Sequence, residues 1–169
     1  MPLLKEKILT IGENIKIRRF ARFEGDVVTY VHAGGRIGVI VHFDTDLAAK
    51  AEFKEYAKDV AMQVAASAPA YLNKDEVPAE VIAKEKEILM AQIQNDEKSK
   101  NKPEAVIAKM VEGRIGKFYK ENCLIDQVFI KDNDVNVLQH TNNVAKELGG
   151  KIEILSFVRF EKGEGLEKK

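Results

Sequence analysis

Two adjacent glycines, Gly34 and Gly35, stand between two runs that are rich in β-branched and aromatic residues, VVTYVHA and RIGVIVHF. Such runs favour strands, and adjacent glycines accept a positive φ at little steric cost, as a tight turn requires. The pattern therefore predicts a β-hairpin with these glycines at its tip. A third run of the same kind, IKIRRFARFEG, precedes them, so three antiparallel strands are predicted between Ile15 and Phe43.

The same glycines do not have the pattern of a phosphate-binding loop. A dinucleotide fingerprint needs the spacing G-x-G-x-x-G and a helix directly after it. Gly34, Gly35 and Gly38 have a different spacing and lead into the strand-like run VIVHF. We therefore expect neither direct nucleotide binding nor a cofactor.

A helix is predicted after these strands. In the segment DLAAKAEFKEYAKDVAMQVAAS the apolar residues keep helical spacing as far as Pro69, which indicates an amphipathic helix with one face toward the sheet. Thr45 or Asp46 would cap its first turn, and Leu47 would pack inward.

Two further helices are predicted to fold back on one another as an arm. The first follows Pro78 and runs from Ala79 to about Asn95, and the second starts near Pro103, with the polar link NDEKSKNKP between them. The apolar stripe of the second helix would be Val106, Ile107, Met110, Val111, Ile115 and Phe118.

The rest of the chain returns to a mixed pattern. A short apolar run, QVFI, is followed by DNDVN as a turn and helix cap, by a helix that ends at Gly149, and by a strand over Lys151 to Glu161. The sum is an α+β fold: a three- to four-stranded, mainly antiparallel sheet packed with helices, plus an inserted antiparallel helical hairpin. The predicted divisions are a truncated N-terminal helix or linker (1–14), the first part of the core (15–76), the arm (77–122) and the second part of the core (123–169).

Composition narrows the classes of partner. The 27 basic and 27 acidic side chains cancel, so no excess positive field favours nucleic acid. Even the basic run at Lys16, Arg18, Arg19 and Arg22 has acidic neighbours, which favours a solvated sheet face or a protein contact. No apolar run approaches the roughly 20 residues of a membrane helix, and no secretion signal is apparent. A cytoplasmic chain with a protein partner and no membrane binding is expected.

Residues that could carry metal or covalent chemistry are few. Cys123 is the only cysteine, and no histidine or cysteine pair has the spacing of a zinc site. DNDVN begins like a calcium loop, but the required glycine and glutamate are replaced by Val137 and Asn143. An enzyme that uses Cys123 as nucleophile is the weakest hypothesis, because no histidine partner can be placed beside it. We expect no metal and no catalytic residue.

Several segments in order resemble the elongation factor Ts family: IGENIKIRRF, YVHAGGRIGVIV, KDVAMQVAAS, KPEAVIAKMVEGRIGKFYKENCLIDQVFIKD and FVRFEKGEGLEKK. The resemblance implies a guanine nucleotide exchange factor of translation that binds the GDP form of elongation factor Tu and promotes GDP release without covalent chemistry. It also implies that this chain corresponds to the C-terminal core subdomain, or dimerisation domain, with its helical arm.

The resemblance is incomplete in a way that bears on activity. The family's Thr-Asp-Phe-Val motif, which presses on the partner's nucleotide-binding domain, is absent, so a shortened chain with reduced exchange activity is expected. The sequence Thr45, Asp46 and Leu47 is similar to that motif, with Leu47 in the place of phenylalanine, and is a candidate for weak exchange activity.

The resemblance also implies where the partner binds. The family's loop histidine, which contacts the third domain of elongation factor Tu, matches His32, and Tyr30, Gly34, Gly35 and Arg36 would shape the hairpin tip around it. The alternative hypothesis is a self-association module without exchange activity of its own, in which the hairpin edge or the arm pairs two copies into a homodimer.

Overall fold

The computed structural model describes residues 2–96 and 102–166 of the 169-residue chain. The elements in chain order are α1 (Pro2–Ile11), β1 (Asp26–His32), β2 (Ile37–Thr45), α2 (Ala51–Ser67), α3 (Ala79–Asn95), α4 (Glu104–Asn122), β3 (Val128–Phe129), β4 (Asp132–Asn136), α5 (Val137–Leu148) and β5 (Ile152–Glu161). Short 3₁₀ turns lie at Lys74–Glu76 and Leu124–Asp126. The predicted α+β class is confirmed, whereas the division of the chain into parts stays a prediction.

The main sheet has three antiparallel strands in the order β1-β2-β5. The predicted strand over residues 15–25 was wrong, because that segment forms no strand. Its side chains instead contact the outer face of the sheet: the Arg19 guanidinium lies 4.2 Å from the centre of the Phe160 ring, and the Phe23 ring centre lies 5.9 Å from that of His42. A segment that crosses a sheet face is not placed to pair along a sheet edge. The third strand of the sheet is β5, which pairs with the edge of β2 opposite β1.

The inner face of the sheet packs against α2. Val39, Val41 and Phe43 alternate inward along β2, and Phe43 makes an edge-on ring contact with Phe53 of the helix at 5.4 Å. The predicted amphipathic helix is confirmed, but the predicted cap was wrong. The helix begins at Ala51 with Lys50 at its N-cap and no side-chain cap, because the Thr45 and Asp46 side chains bond elsewhere.

One polar side chain, Gln63, lies fully buried on α2. Its amide nitrogen donates to the Gln127 side chain at 3.0 Å and to the Val128 carbonyl at 3.2 Å, and its oxygen accepts from the Ile130 backbone N–H at 2.8 Å. A buried amide with matched partners fixes a backbone segment in place. Gln63 therefore holds the short β3 segment against α2.

The predicted arm is present as α3 and α4, and α3 has the predicted bounds. Five residues of the predicted link, 97–101, lie outside the described residues. Leu89, Ile93, Val111 and Ile115 form a core of their own, separate from the main core. The apolar stripe predicted for α4 was too wide, because Val106 is exposed and Phe118 is half-buried outside this cluster. Two packed helices bury only a narrow seam between them.

The last elements follow the sequence patterns closely. Asn136 and Gln139 form a reciprocal capping box at the start of α5, and Gly149 ends the helix with a left-handed φ of 69°. The DNDVN segment caps α5 as predicted, but it is the strand β4 paired with β3 and not a turn. Across residues 2–96 and 102–166, no helix is both long and apolar enough to span a membrane.

Candidate partner interface

The β1–β2 hairpin forms the tip predicted from the two glycines. Residues 33–36 make the turn, and Ala33, Gly34 and Gly35 have φ values of 50°, 63° and 91°. The backbone N–H groups of Gly35 and Arg36 both donate to the His32 carbonyl, at 3.2 and 3.1 Å. Left-handed φ values at three successive positions are strained for most residues, and glycine at two of them removes much of that strain.

Tyr30 and His32 lie two residues apart on β1 and therefore on the same face of the hairpin. The Tyr30 hydroxyl is 3.0 Å from Nδ1 of His32, and the two ring centres are 5.8 Å apart. Tyr30 packs partly against the main core, whereas His32 is exposed. The tyrosine therefore orients the imidazole through Nδ1, and Nε2 takes no part in this contact.

Arg36 extends the tip toward β5. Its carbonyl accepts a 2.8 Å hydrogen bond from the Lys162 backbone N–H, just beyond the end of β5. Its side chain is exposed and has no ion pair among the described residues. The five predicted tip residues are thus brought together at one end of the sheet, and their roles stay predictions.

The corner at Thr45, Asp46 and Leu47 lies at the other end of β2, roughly 26 Å from the tip at about 3.3 Å per residue. Thr45 Oγ1 donates to the Lys151 carbonyl at 2.7 Å and accepts from the Leu47 N–H at 3.0 Å. The Lys151 N–H donates to Asp46 Oδ1 at 2.7 Å. Leu47 packs in the main core with 5% of its surface exposed, which confirms the prediction that it packs inward. These side chains hold the start of β5 against the end of β2.

The histidines and the cysteine occupy separate environments. The His140 ring stacks on that of Phe129, with 4.1 Å between the ring centres. Burial lowers the pKa of His140 below 6.5, although the carboxylates of Asp59 and Asp132 act to raise it. Cys123 is fully buried, and burial together with the nearby Asp126 carboxylate raises its pKa to about 11. A thiol with that pKa stays protonated at neutral pH and is a poor nucleophile. Within the described ranges, no three His, Cys, Asp or Glu side chains are placed to hold a metal ion.

Sequence reasoning missed a second surface beside the tip. Residues from the 15–25 segment, the tip and the end of β5 line an open groove of about 480 Å³, and its members include Phe160, Lys162 and Leu166. The only sequence signal was the basic run near Arg18, which indicated a protein contact or a solvated face.

Comparison with known proteins adds an independent line of evidence. The family model described as elongation factor TS matches residues 2–164. The chain is 46% identical over 170 residues to an elongation factor Ts of Clostridium botulinum (strain 657 / Type Ba4), covering 99% of this chain and 54% of that protein. It is 47% identical over 165 residues to an elongation factor Ts of Clostridium kluyveri (strain ATCC 8527), covering 96% of this chain and 52% of that protein. The chain thus spans about half the length of these relatives.

Proposed function

The chain belongs to the elongation factor Ts family, and we propose that it binds the GDP form of elongation factor Tu in the cytoplasm. The observation that carries this proposal is the family match over residues 2–164. In this proposal the chain does no covalent chemistry and needs no cofactor or metal. It acts as a module of a guanine nucleotide exchange factor in protein synthesis.

The hairpin tip supports docking through His32. The imidazole is exposed, its orientation is set by the Tyr30 hydroxyl, and Arg36 stands beside it on a turn held by three backbone hydrogen bonds. Tyrosine and arginine are enriched among the residues that dominate protein interfaces, and the contact with Tyr30 limits the freedom that the His32 ring would lose on binding.

We further propose that this 169-residue chain accelerates GDP release only weakly. The sequence Thr-Asp-Phe-Val does not occur in it, and the similar corner at Thr45 and Asp46 has its side chains bonded to Lys151. Leu47 would have to leave the main core before it could press on a partner, and a leucine lacks the flat surface of a phenylalanine ring. The corner is therefore proposed as a structural element.

The test is the release of a fluorescent GDP analogue from elongation factor Tu on addition of this chain, with binding of the two proteins measured in parallel. We expect binding with little acceleration of release. Failure to bind at any concentration would contradict the docking proposal. Release as fast as with a full-length relative would contradict the proposal of weak exchange.

A second candidate function, self-association, is supported by the exposed edge of the sheet. On β1, Val27 is 37% and Val31 is 67% exposed, and the outer edge of this strand has no partner strand in the described part of the chain. Unpaired edges with apolar side chains favour pairing with another copy. Light scattering over a concentration series would detect a homodimer, and a monomer throughout would contradict this candidate.

A further inference from the structure

The groove beside the hairpin tip combines an apolar floor with a basic rim. We define the basic groove by Ile17, Arg18, Arg36, Phe160, Lys162 and Leu166. Two of its floor residues are largely exposed, Ile17 at 55% and Leu166 at 59%. Exposed apolar side chains that lie together within a polar rim are typical of surfaces that another molecule covers.

A glycine keeps the centre of this groove open. Gly38 pairs with Phe160 across β2 and β5 on the outer face of the sheet. A Cβ built on Gly38 would meet no atom within 4 Å, so there is open space directly above the strand. The Phe160 ring carries the Arg19 guanidinium at 4.2 Å. The floor can therefore take one apolar side chain, but this ring face is not free for stacking.

The rim carries uncompensated positive charge. Arg18, Arg36 and Lys162 have no ion pair within residues 2–96 and 102–166. The acidic side chains beside them are already engaged: Glu164 pairs with Arg19 at 2.6 Å, and Glu161 pairs with Arg159 at 2.7 Å. In a chain with no net charge, this local excess sets the sign of the charge that the groove attracts.

We propose that the basic groove binds an acidic segment of a protein partner, with one apolar side chain of that segment on the floor and its carboxylates on the rim. A protein segment fits better than nucleic acid for two reasons. The Arg19 guanidinium occupies the ring face on which a base would stack, and three cations are fewer than the roughly 6–10 phosphate contacts typical of DNA-binding proteins. Arg36 belongs to both the tip and the groove, whereas Tyr30 and His32 lie on the opposite, inner face of the hairpin.

A short peptide tests the groove without reference to the proposed function. The chain contains no tryptophan, so a pentapeptide with one tryptophan between glutamates reports its own environment by fluorescence. We expect a saturable blue shift at low salt that weakens as salt is added, because the contacts are electrostatic and partly exposed. Absence of a saturable shift at low salt would overturn the proposal.

Charge reversal locates the contact. Arg18→Glu/Lys162→Glu should weaken peptide binding at least fivefold, whereas the matched control Lys54→Glu/Lys58→Glu, on exposed positions of α2, should change it less than twofold. Both variants change the net charge equally, and circular dichroism checks that both are folded. Equal losses in the two variants would overturn the groove assignment. A single-stranded RNA of five nucleotides bound as tightly as the peptide would overturn the assignment to a protein segment.

Binding of the same variants to elongation factor Tu tests whether the groove belongs to the proposed function. Only this part of the experiment rests on the proposed function. A loss for Arg18→Glu/Lys162→Glu that exceeds the control would show that the partner reaches the groove. Peptide binding without any binding of elongation factor Tu would overturn the proposed function and leave the groove intact. Light scattering of the chain without peptide, at the concentrations used, tests whether a second copy occupies the groove. A dimer that is abolished by Arg18→Glu/Lys162→Glu would overturn the proposal.

Discussion

Gly150 lies where the start of β5 passes the corner after β2. A Cβ at this position would lie 2.5 Å from Asp46 Oδ1 and 2.5 Å from Leu47 Cδ2. The same Asp46 oxygen accepts the Lys151 N–H at 2.7 Å, and Leu47 is buried in the main core, so neither neighbour is free to move aside. The glycine is thus required for close approach.

The variant Gly150→Ala should therefore lower the free energy of unfolding by about 1–3 kcal/mol, the range typical of overpacking. Urea denaturation measures this change. Gly113→Ala is the matched control, because Gly113 lies in α4 with open space around its Cβ position. This substitution should raise the free energy of unfolding by up to about 1 kcal/mol. Equal effects at the two glycines would contradict the close-approach argument.

His140 introduces a pH dependence of stability. Burial against Phe129 and Tyr56 lowers its pKa, while Asp59 and Asp132 raise it and Lys131 lowers it. Because the folded pKa lies below 6.5, the folded state binds fewer protons than the unfolded state, so stability falls as the pH drops through 6.5 toward the folded value.

Between pH 7.5 and pH 5.5 the chain should lose more stability than the variant His140→Gln, measured by urea denaturation at each pH. The difference between the two proteins is the readout, because every other side chain is the same in both. A larger loss in the variant would mean that the imidazolium is stabilised in the fold.

Cys123 should react slowly in the native state. Its side chain is fully buried and its pKa is raised to about 11, so both access and the thiolate fraction are low. Alkylation by iodoacetamide at neutral pH should be slow without urea and fast in urea. Rapid native alkylation would contradict the burial and reopen the nucleophile hypothesis.

At the scale of elements, the arm depends on a seam of four buried side chains that is separate from the main core. Ile93 is 1% exposed in this seam, whereas Ile88, on the same helix, is 43% exposed. The Arg114 side chain adds a 3.1 Å hydrogen bond to Gln92 across the two helices. The stability of the arm therefore rests on a narrow set of contacts.

Ile93→Ala should destabilise α3 and α4 by about 2–5 kcal/mol, the range for a buried isoleucine. Hydrogen exchange of amides in the two helices would report this loss. Ile88→Ala changes the same side chain at an exposed site and should cost less than about 1 kcal/mol. Equal losses of protection would mean that the seam is wider than the structure shows.

Over the whole molecule, the two ends of the sheet differ in how far their side chains are exposed. The corner and Gly150 lie at one end and are engaged internally, whereas the hairpin tip and the basic groove lie at the other end and are exposed. The register places Ile37 opposite Glu161, so strand pairing joins the tip to the end of β5. We expect partner binding at this end.

His32→Ala should weaken binding to elongation factor Tu by about tenfold or more, as expected for truncation of an interface anchor. Titration calorimetry would measure the affinity. Lys54→Ala, at an exposed site on α2, should leave it unchanged. A His32→Ala variant that binds normally would move the contact away from the tip.

The elements that could be predicted from the sequence are those whose signals are local. The hairpin follows from glycines at positive φ, the bounds of α3 from Pro78 and helical spacing, and the ends of α5 from Asn136 and Gly149. The tip residues belong to this class, because they are neighbours along the chain. The family resemblance was likewise readable from contiguous motifs.

The features that join distant residues could not be predicted from the order of residues along the chain. The Thr45 hydroxyl bonds to a carbonyl 106 positions away instead of capping α2. Arg19 pairs with Glu164, 145 positions away, where the 15–25 segment lies across the sheet face. The basic groove arises from that crossing. Spacing along a chain says nothing about which of several possible partners a hydroxyl or a guanidinium will meet, because that choice depends on how the whole core packs.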